Sequence, residues 1–341
     1  MPERNRYWLY LWGQFRSWPI QSDGPFAHDD MRYFAHVFRI FDDLVRAQDL
    51  DVIVTLDCDG PLPMQGPNTV VLCIEDERAR LPRYAYDVRC ILKTYGVHRR
   101  PYVAWPPPAG WSSLPATLAL ELGMQLRRAP YVATGFTRRL RHGRNARVLD
   151  VPLGTKAYTD RAPSNFDTRA LDVVFAGSWA NFDDDLNRRF TRLKTRYRHA
   201  FIHDLEQTLA ARPQVRSSTH VVPSTADARQ RQEAYLAELD DARIALCPRG
   251  SSRDTYRLFE AARAGAVPVC EPLPRRDFYA NAPIVTIRSW RHLGDVLDDL
   301  LGDPVGLHER HEAVLRWYAE QWAPEPVGRN FARFVDGVEP R

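Results

Sequence analysis

Lysine is nearly missing from this chain. Lys93, Lys156 and Lys194 are its only lysines, and arginine supplies the rest of 47 basic residues. Against 43 Asp and Glu the formal net charge is only +4, so nothing compels a nucleic-acid partner, and none is expected. The arginine excess reads first as genome composition; phosphate recognition is assigned only where arginines converge. Cysteine is sparse: Cys58, Cys73, Cys90, Cys247 and Cys270 form an odd set with no C-x-x-C spacing. That pattern fits neither a disulfide framework nor a zinc site, and predicts buried free thiols in a reducing compartment. There is no run of about 18 apolar residues, so no integral membrane segment is expected. Met1 to Arg16 carries charges throughout, unlike a signal peptide, and the expected location is cytoplasmic. Also missing is G-x-G-x-x-G after an early strand. The first apolar run ends Leu11-Trp12-Gly13-Gln14, which argues against a nicotinamide or flavin enzyme. No repeat or low-complexity segment interrupts the chain.

What is present is a globular α/β pattern. At 341 residues, 44% hydrophobic and 26% charged, the chain is long enough for two domains. In the first half, strands are predicted at 7–12, 51–56, 69–74, 89–93, 102–105, 131–134 and 146–151. A helix with Phe34, Val37, Phe38, Phe41 and Leu44 on one face is predicted over 31–47. Alternation of this kind predicts a parallel sheet. Turn chemistry without periodicity over 152–169 marks a junction. The expected domains are 1–152, 170–310, and C-terminal helices over 311–341.

The most informative stretch is Ala245 to Pro272, ALCPRGSSRDTYRLFEAARAGAVPVCEP. It reads as buried strand, polar turn, helix, glycine stop and second buried strand. Ser252 is the predicted N-cap. Leu258, Ala261, Ala262 and Gly265 fall on the face toward a sheet, and Gly265 is suited to a left-handed helix end. Pro268 requires a strand position where no ladder bond is lost. Arg249, Gly250, Ser251, Ser252 and Thr255 gather at the C-terminal edge of the first strand, where open α/β sheets bind ligands and helix N-termini favour anions. Arg257 can take a phosphate in bidentate fashion, and Glu260 can accept from ribose hydroxyls. Upstream, Leu171-Asp-Val-Val-Phe-Ala-Gly177-Ser178 offers a second turn where backbone N–H groups can approach a phosphate. Among Arg188, Arg189, Arg192, Arg196 and Arg198 of the next helix, one can reach a diphosphate; the sequence does not choose which. Each residue also has a plainer reading: Arg257 and Glu260 as a solvated helix pair, Ser252 as a cap, Gly177-Ser178 as a strand-ending turn.

The segment CPRGSSRDTYRLFEAARAGAVPV resembles the C-terminal part of exostosin-like glycosyltransferases, which run C-P-R-G, a polar turn, [ST]-x-R-x-x-E-A and a G-x-x-P-V return. The resemblance is detailed in this half and general in the other. It implies an α/β fold of the GT-B kind, two Rossmann-like domains facing each other across a cleft. It further implies a nucleotide-sugar donor held mainly by the second domain, inverting transfer, and no metal or other cofactor. Lack of a membrane anchor departs from the animal exostosins and points to a soluble, bacterial-type relative. The acceptor class, whether glycan, lipid-linked or small-molecule, stays open.

Inverting transfer needs a base for the acceptor hydroxyl. Asp57, Asp59 and Glu75 end strands of the first half and are candidates, one at most. Asp76, Glu77 and His98 lie nearby. Acids after strands are also ordinary turn formers. A non-catalytic nucleotide- or carbohydrate-binding protein of the same fold is the competing expectation.

Overall fold

The computed structural model describes residues 5–11, 13–18, 20, 31–47, 49–74, 76, 79–97, 129–130, 132–156, 158, 160, 162–178, 188–222, 228–250 and 252–338. The strand predicted at 102–105, together with Glu75, Glu77, His98 and Ser251, lies outside these residues. The chain divides into two compact units, each with its own sheet. The first comprises Met1–Val103, Leu122–Leu153 and Ala323–Arg341, and the second Ala104–Glu121 and Gly154–Trp322.

In the first unit, β1 (Tyr7–Leu11), β2 (Gln14–Ser17), β3 (Asp51–Thr55), β4 (Gly66–Cys73), β5 (Val88–Lys93) and β6 (Val148–Asp150) run in the order β2-β1-β3-β4-β5-β6. All pair in parallel except the β1–β2 edge. β2 was not expected, since its exposed Gln-Phe-Arg-Ser carries no apolar alternation to read. The buried runs Val52–Val54 and Val70–Cys73 are continuous, as strands covered on both faces require. Helix α1 (Met31–Leu44) buries Phe34, Val37, Phe38 and Phe41. The last helix of the chain, Pro324–Val335, belongs to this unit, and its Phe331 ring lies 6.0 Å from that of Phe38. Residues 132–134, expected in a strand, are helical through 142. The apolar run there is too short to fill a strand, and the following Phe-Thr-Arg-Arg-Leu-Arg favours helix.

The C-terminal ends of β3, β4 and β5 are tied together by a buried ionic network. Lys93 Nζ is fully buried and donates to Asp76 Oδ2 at 2.8 Å, with the Cys58 and Cys73 sulfurs 3.8 and 3.9 Å away. Asp76 Oδ1 accepts from Arg80 Nε at 3.1 Å. Burial alone would raise the Asp76 carboxyl, but Lys93 and Arg80 outweigh it and hold the pKa at about 2.

In the second unit, β7 (Leu171–Ser178), β8 (Ser217–Val222), β9 (Ala242–Leu246), β10 (Val267–Cys270) and β11 (Val285–Thr286) form an all-parallel sheet in the order β11-β10-β9-β7-β8. The connections are α2 (Arg188–Ala210), α3 (Ala228–Asp240) and α4 (Tyr256–Ala264). Val173, Phe175, Ile244, Leu246, Val267 and Val269 pack with Phe201, Trp290, Leu293 and Leu297 in one core. The Cys247 N–H donates to the Val269 carbonyl, which turns Pro268 toward β11, and β11 pairs only from Val269 onward. The missing N–H of Pro268 therefore leaves no hole in the ladder. The helical stretch predicted over 305–321 is split. Pro304–Trp317 is α-helical, and a π-helical turn, Tyr318–Trp322, follows and directs Trp322 Nε1 onto the Phe278 carbonyl at 2.9 Å.

The Lys93–Asp76 pair predicts a large, directional stability effect. Lys93→Met leaves the buried Asp76 carboxylate with Arg80 as its remaining cation and is expected to cost about 3 kcal/mol in urea unfolding. Because the Asp76 pKa is depressed, the pair's contribution is complete above about pH 4, the unfolded value, and is lost as pH falls toward 2. A Lys93→Met protein as stable as the parent at pH 7 would contradict this.

Candidate functional site

Strand order fixes where a ligand pocket can form in the second unit. The chain leaves β7 in one direction to reach β8, and from β9 proceeds in the other direction to β10 and β11. The neighbouring C-terminal ends of β7 and β9 are therefore the topological switch point, where opposed connections open a crevice. Those two ends carry Gly177-Ser178 and Cys247-Pro248-Arg249-Gly250, and α4 starts just beyond.

The loop after β9 is longer than the sequence implied. Thr255, not Ser252, is the N-cap of α4, with φ −142° and no side-chain cap bond. The cause is Asp254. Its buried carboxylate accepts from Arg276 Nη2 at 2.9 Å and Tyr279 Oη at 2.7 Å, which pins 252–254 as loop. Ser252 Oγ lies 3.4 Å from Asp254 Oδ2, and the Gly250 N–H donates to the Ser252 carbonyl. At the far end Gly265 takes φ 68°, and its N–H closes the helix onto Ala261 and Ala262. A Cβ there would meet His311 at 2.6 Å.

Of the five α2 arginines the sequence could not separate, Arg198 is buried at this crevice, 2% exposed. Its Nε donates to the Arg249 carbonyl at 3.0 Å and its Nη2 to the Pro248 carbonyl at 3.2 Å. Among the described residues no acceptor lies within reach of its Nη1. Burial, and then the neighbouring Arg257 charge, push the Arg198 pKa down to about 9, with Glu271 pulling the other way. Arg257 donates through Nε to the Ala176 carbonyl, beside Gly177. Both guanidinium carbons stand 5.8 Å from the Phe175 ring centroid. Gly177 leaves the space they use: a Cβ at that position would lie 2.7 Å from Arg198 Nη1 and 2.6 Å from the Phe175 ring.

Arg249 is buried, and its backbone N–H donates to Glu271 Oε2 at 2.9 Å. The other Glu271 oxygen accepts from Trp290 Nε1 at 2.7 Å. Glu271 was missed in the sequence, although an acid directly after β10 at the same sheet edge was visible there. Thr255 and Glu260 are also buried. Glu260, 2% exposed, faces Tyr235, whose hydroxyl is driven far above its ordinary value by burial first and the Glu260 charge second. Lys156 Nζ sits 4.7 Å over the Tyr256 ring at the start of α4. The crevice thus brings Gly177, Arg198, Arg249, Gly250 and Arg257 together, with Ser252 and Thr255 on the adjoining loop. Two guanidinium groups stand beside the turns that follow β7 and β9.

In the first unit the candidate acids are engaged locally. Asp57 Oδ1 accepts from the N–H groups of Asp59 and Gly60 at 2.8 and 3.0 Å, as a turn former does. Asp59 pairs with Arg80. Asp76 is committed to Lys93 and Arg80.

Comparison with known proteins bears on the second unit. Residues 193–324 match the family model described as the RXYLT1 C-terminal domain. No curated protein matches the sequence. Among solved structures, one of S. aureus TarM in complex with fondaparinux, alpha-GlcNAc-glycerol and UDP is similar at 9% identity and TM-score 0.44. The match covers 89% of this chain and 58% of that one. AviGT4, a glycosyltransferase involved in avilamycin A biosynthesis, is similar at 13% identity and TM-score 0.41, with 89% and 79% covered. WaaG, a glycosyltransferase involved in lipopolysaccharide biosynthesis, gives 13% and 0.40, with 92% and 97% covered. This chain thus spans little more than half the length of TarM.

The site makes one steric prediction. Gly177→Ala is expected to displace Arg198 or Phe175 and to cost about 1–3 kcal/mol in urea unfolding; unchanged stability would contradict this packing. Residues 193–324, which carry Arg198, Arg249, Gly250 and Arg257 of this crevice but not Gly177, are thus similar to the RXYLT1 C-terminal domain.

Proposed function

We propose that the protein transfers a sugar from a nucleotide-sugar donor to an acceptor hydroxyl. The observation that carries the reading is the pair Arg198 and Arg257 at the switch point: burial, and then the Arg257 charge, lower the Arg198 pKa, so a neighbouring anion would be favoured there. A diphosphate is the anion that fits, since guanidinium groups bind phosphate oxygens in fork geometry. In this reading the diphosphate lies against Gly177, Ser178, Arg198, Arg249, Gly250 and Arg257. Ser251, Ser252 and Thr255 add hydrogen bonds, and Glu260 accepts from the ribose. As the donor's anomeric C–O bond breaks, negative charge grows on the departing diphosphate, and fixed cations stabilise it more than they stabilise the intact donor. The two arginines stand in for a divalent ion, so transfer is expected to persist in excess chelator. We take the arrangement to be of the GT-B kind, with the acceptor served by the first unit and the outcome inverting. One of Asp57, Asp59 or Glu75 is then the base that removes the acceptor proton.

A second reading, a binding protein without turnover, is favoured by one observation: Asp57 and Asp59 are both occupied by local contacts. Product formation from a panel of nucleotide sugars separates the two. Five buried free cysteines support a reducing, cytoplasmic setting.

The test is charge-specific. Arg198→Gln keeps a donor for the Arg249 carbonyl, gives up the Pro248 bond and removes a buried cation. It is expected to leave thermal stability equal or higher, while nucleoside diphosphate affinity falls by about tenfold to a hundredfold. Arg257→Ala should lose affinity to a similar extent. Affinity unchanged in both proteins would end the reading.

A further inference from the structure

The helical stretch 132–142 of the first unit has two unlike faces. One is seated on the unit. Gly135 faces Leu81, Arg138 Nη1 donates to the Pro82 carbonyl at 2.9 Å, and its guanidinium stands 5.3 Å from the Tyr86 ring. His142 stacks on Tyr86 at 4.2 Å and 6°. At about 100° per residue, Gly135, Arg138 and His142 share one side of the helix. Phe136 and Leu140, four apart, fall on the opposite side, and they are 59% and 66% exposed. Arg139 and Arg141 flank them, and Arg144 follows just after the helix; all three are exposed. Between Glu121 and Asp150 the sequence contains no acidic residue.

Scattered exposed apolar residues are ordinary. An i,i+4 aromatic–aliphatic pair directed away from the body, bracketed by arginines and free of acids, is a different pattern. It is the pattern of a helix that lies in a membrane interface, rings and aliphatic chains entering the acyl boundary while guanidinium groups meet anionic headgroups. We propose that this face docks the protein on an anionic lipid bilayer. A nucleic-acid strand would satisfy the arginines and give Phe136 and Leu140 nothing. A neutral bilayer would do the reverse. The proposal is independent of sugar transfer, because docking needs neither the crevice nor turnover.

Sedimentation with vesicles of phosphatidylcholine alone, and of equal parts phosphatidylcholine and phosphatidylglycerol, tests it. The protein should pellet with the anionic vesicles, and markedly less in high salt or with the neutral ones. Arg139→Gln with Arg141→Gln should weaken binding about twenty-five-fold, since each cation near such a surface is worth about fivefold. Phe136→Ser with Leu140→Ser should weaken it at least tenfold. Arg310→Gln with Arg316→Gln, on the second unit, should change nothing. Failure of the parent to bind anionic vesicles overturns the proposal, and so does binding that survives the serine pair, which would mark a general polyanion site. An equal loss in the Arg310/Arg316 control also overturns it. Should the serine pair melt early, Phe136→Cys labelled with a polarity-sensitive dye replaces it, because the five native thiols are buried. A blue shift on anionic vesicles supports docking, and its absence refutes it.

Discussion

The second unit is arranged around a cation that its surroundings do not neutralise. Arg198 is out of water, and burial, with Arg257 next and Glu271 opposing, brings its pKa down to about 9. What makes this tolerable is hydrogen bonding. The guanidinium holds the carbonyls of Pro248 and Arg249, while Glu271 holds the Arg249 N–H from the other side. The Cys247–Gly250 turn is therefore clamped by a cation on its acceptors and an anion on a donor. Its geometry is fixed before any ligand arrives, which is the form of preorganisation that binding and electrostatic catalysis both need.

The first unit shows the opposite outcome from similar materials. Lys93 is as completely buried as Arg198, yet against the cost of burial its pKa moves up, raised by the Cys73 and Cys58 sulfurs and then by Asp76. Arg80 completes the Asp76 carboxylate. With Asp59 also on Arg80, two acids face two cations, so the network binds the ends of β3, β4 and β5 to one another and leaves nothing over for an incoming anion. Burial of charge alone does not mark a site.

Part of this was legible in residue order. Ala245–Pro272 announces strand, loop, helix and strand because Leu258, Ala261, Ala262 and Gly265 keep a helical period between two apolar runs. Its helix start was misread because Ser252 looks like a cap. The competing demand of Asp254, held by Arg276 and Tyr279, comes from residues more than twenty positions away. Arg198 was one of five similar arginines, and only the packing of α2 against β7 selects it. Asp76 stood beside the candidate bases with nothing local to reveal that Lys93, seventeen positions on, would claim it. The edge strand β2 lacks a buried face and so lacks a sequence signal.

The scarcity of lysine takes on a physical meaning at one position. A guanidinium is planar and carries five donors, so at 198 it can bridge two successive carbonyls and still direct Nη1 toward the Gly177 side of the crevice. An ammonium is a compact, strongly hydrated charge; buried here it would shed its proton more readily and could not bridge in the same plane. Arg198 and Gly177 then form a single requirement, because the space for the fork is the space a Cβ would fill. An arginine-rich composition by itself implies nothing about phosphate. An arginine poorly replaced by lysine, beside a glycine poorly replaced by alanine, at the point where a parallel sheet reverses its winding, is what the proposed anion site rests on.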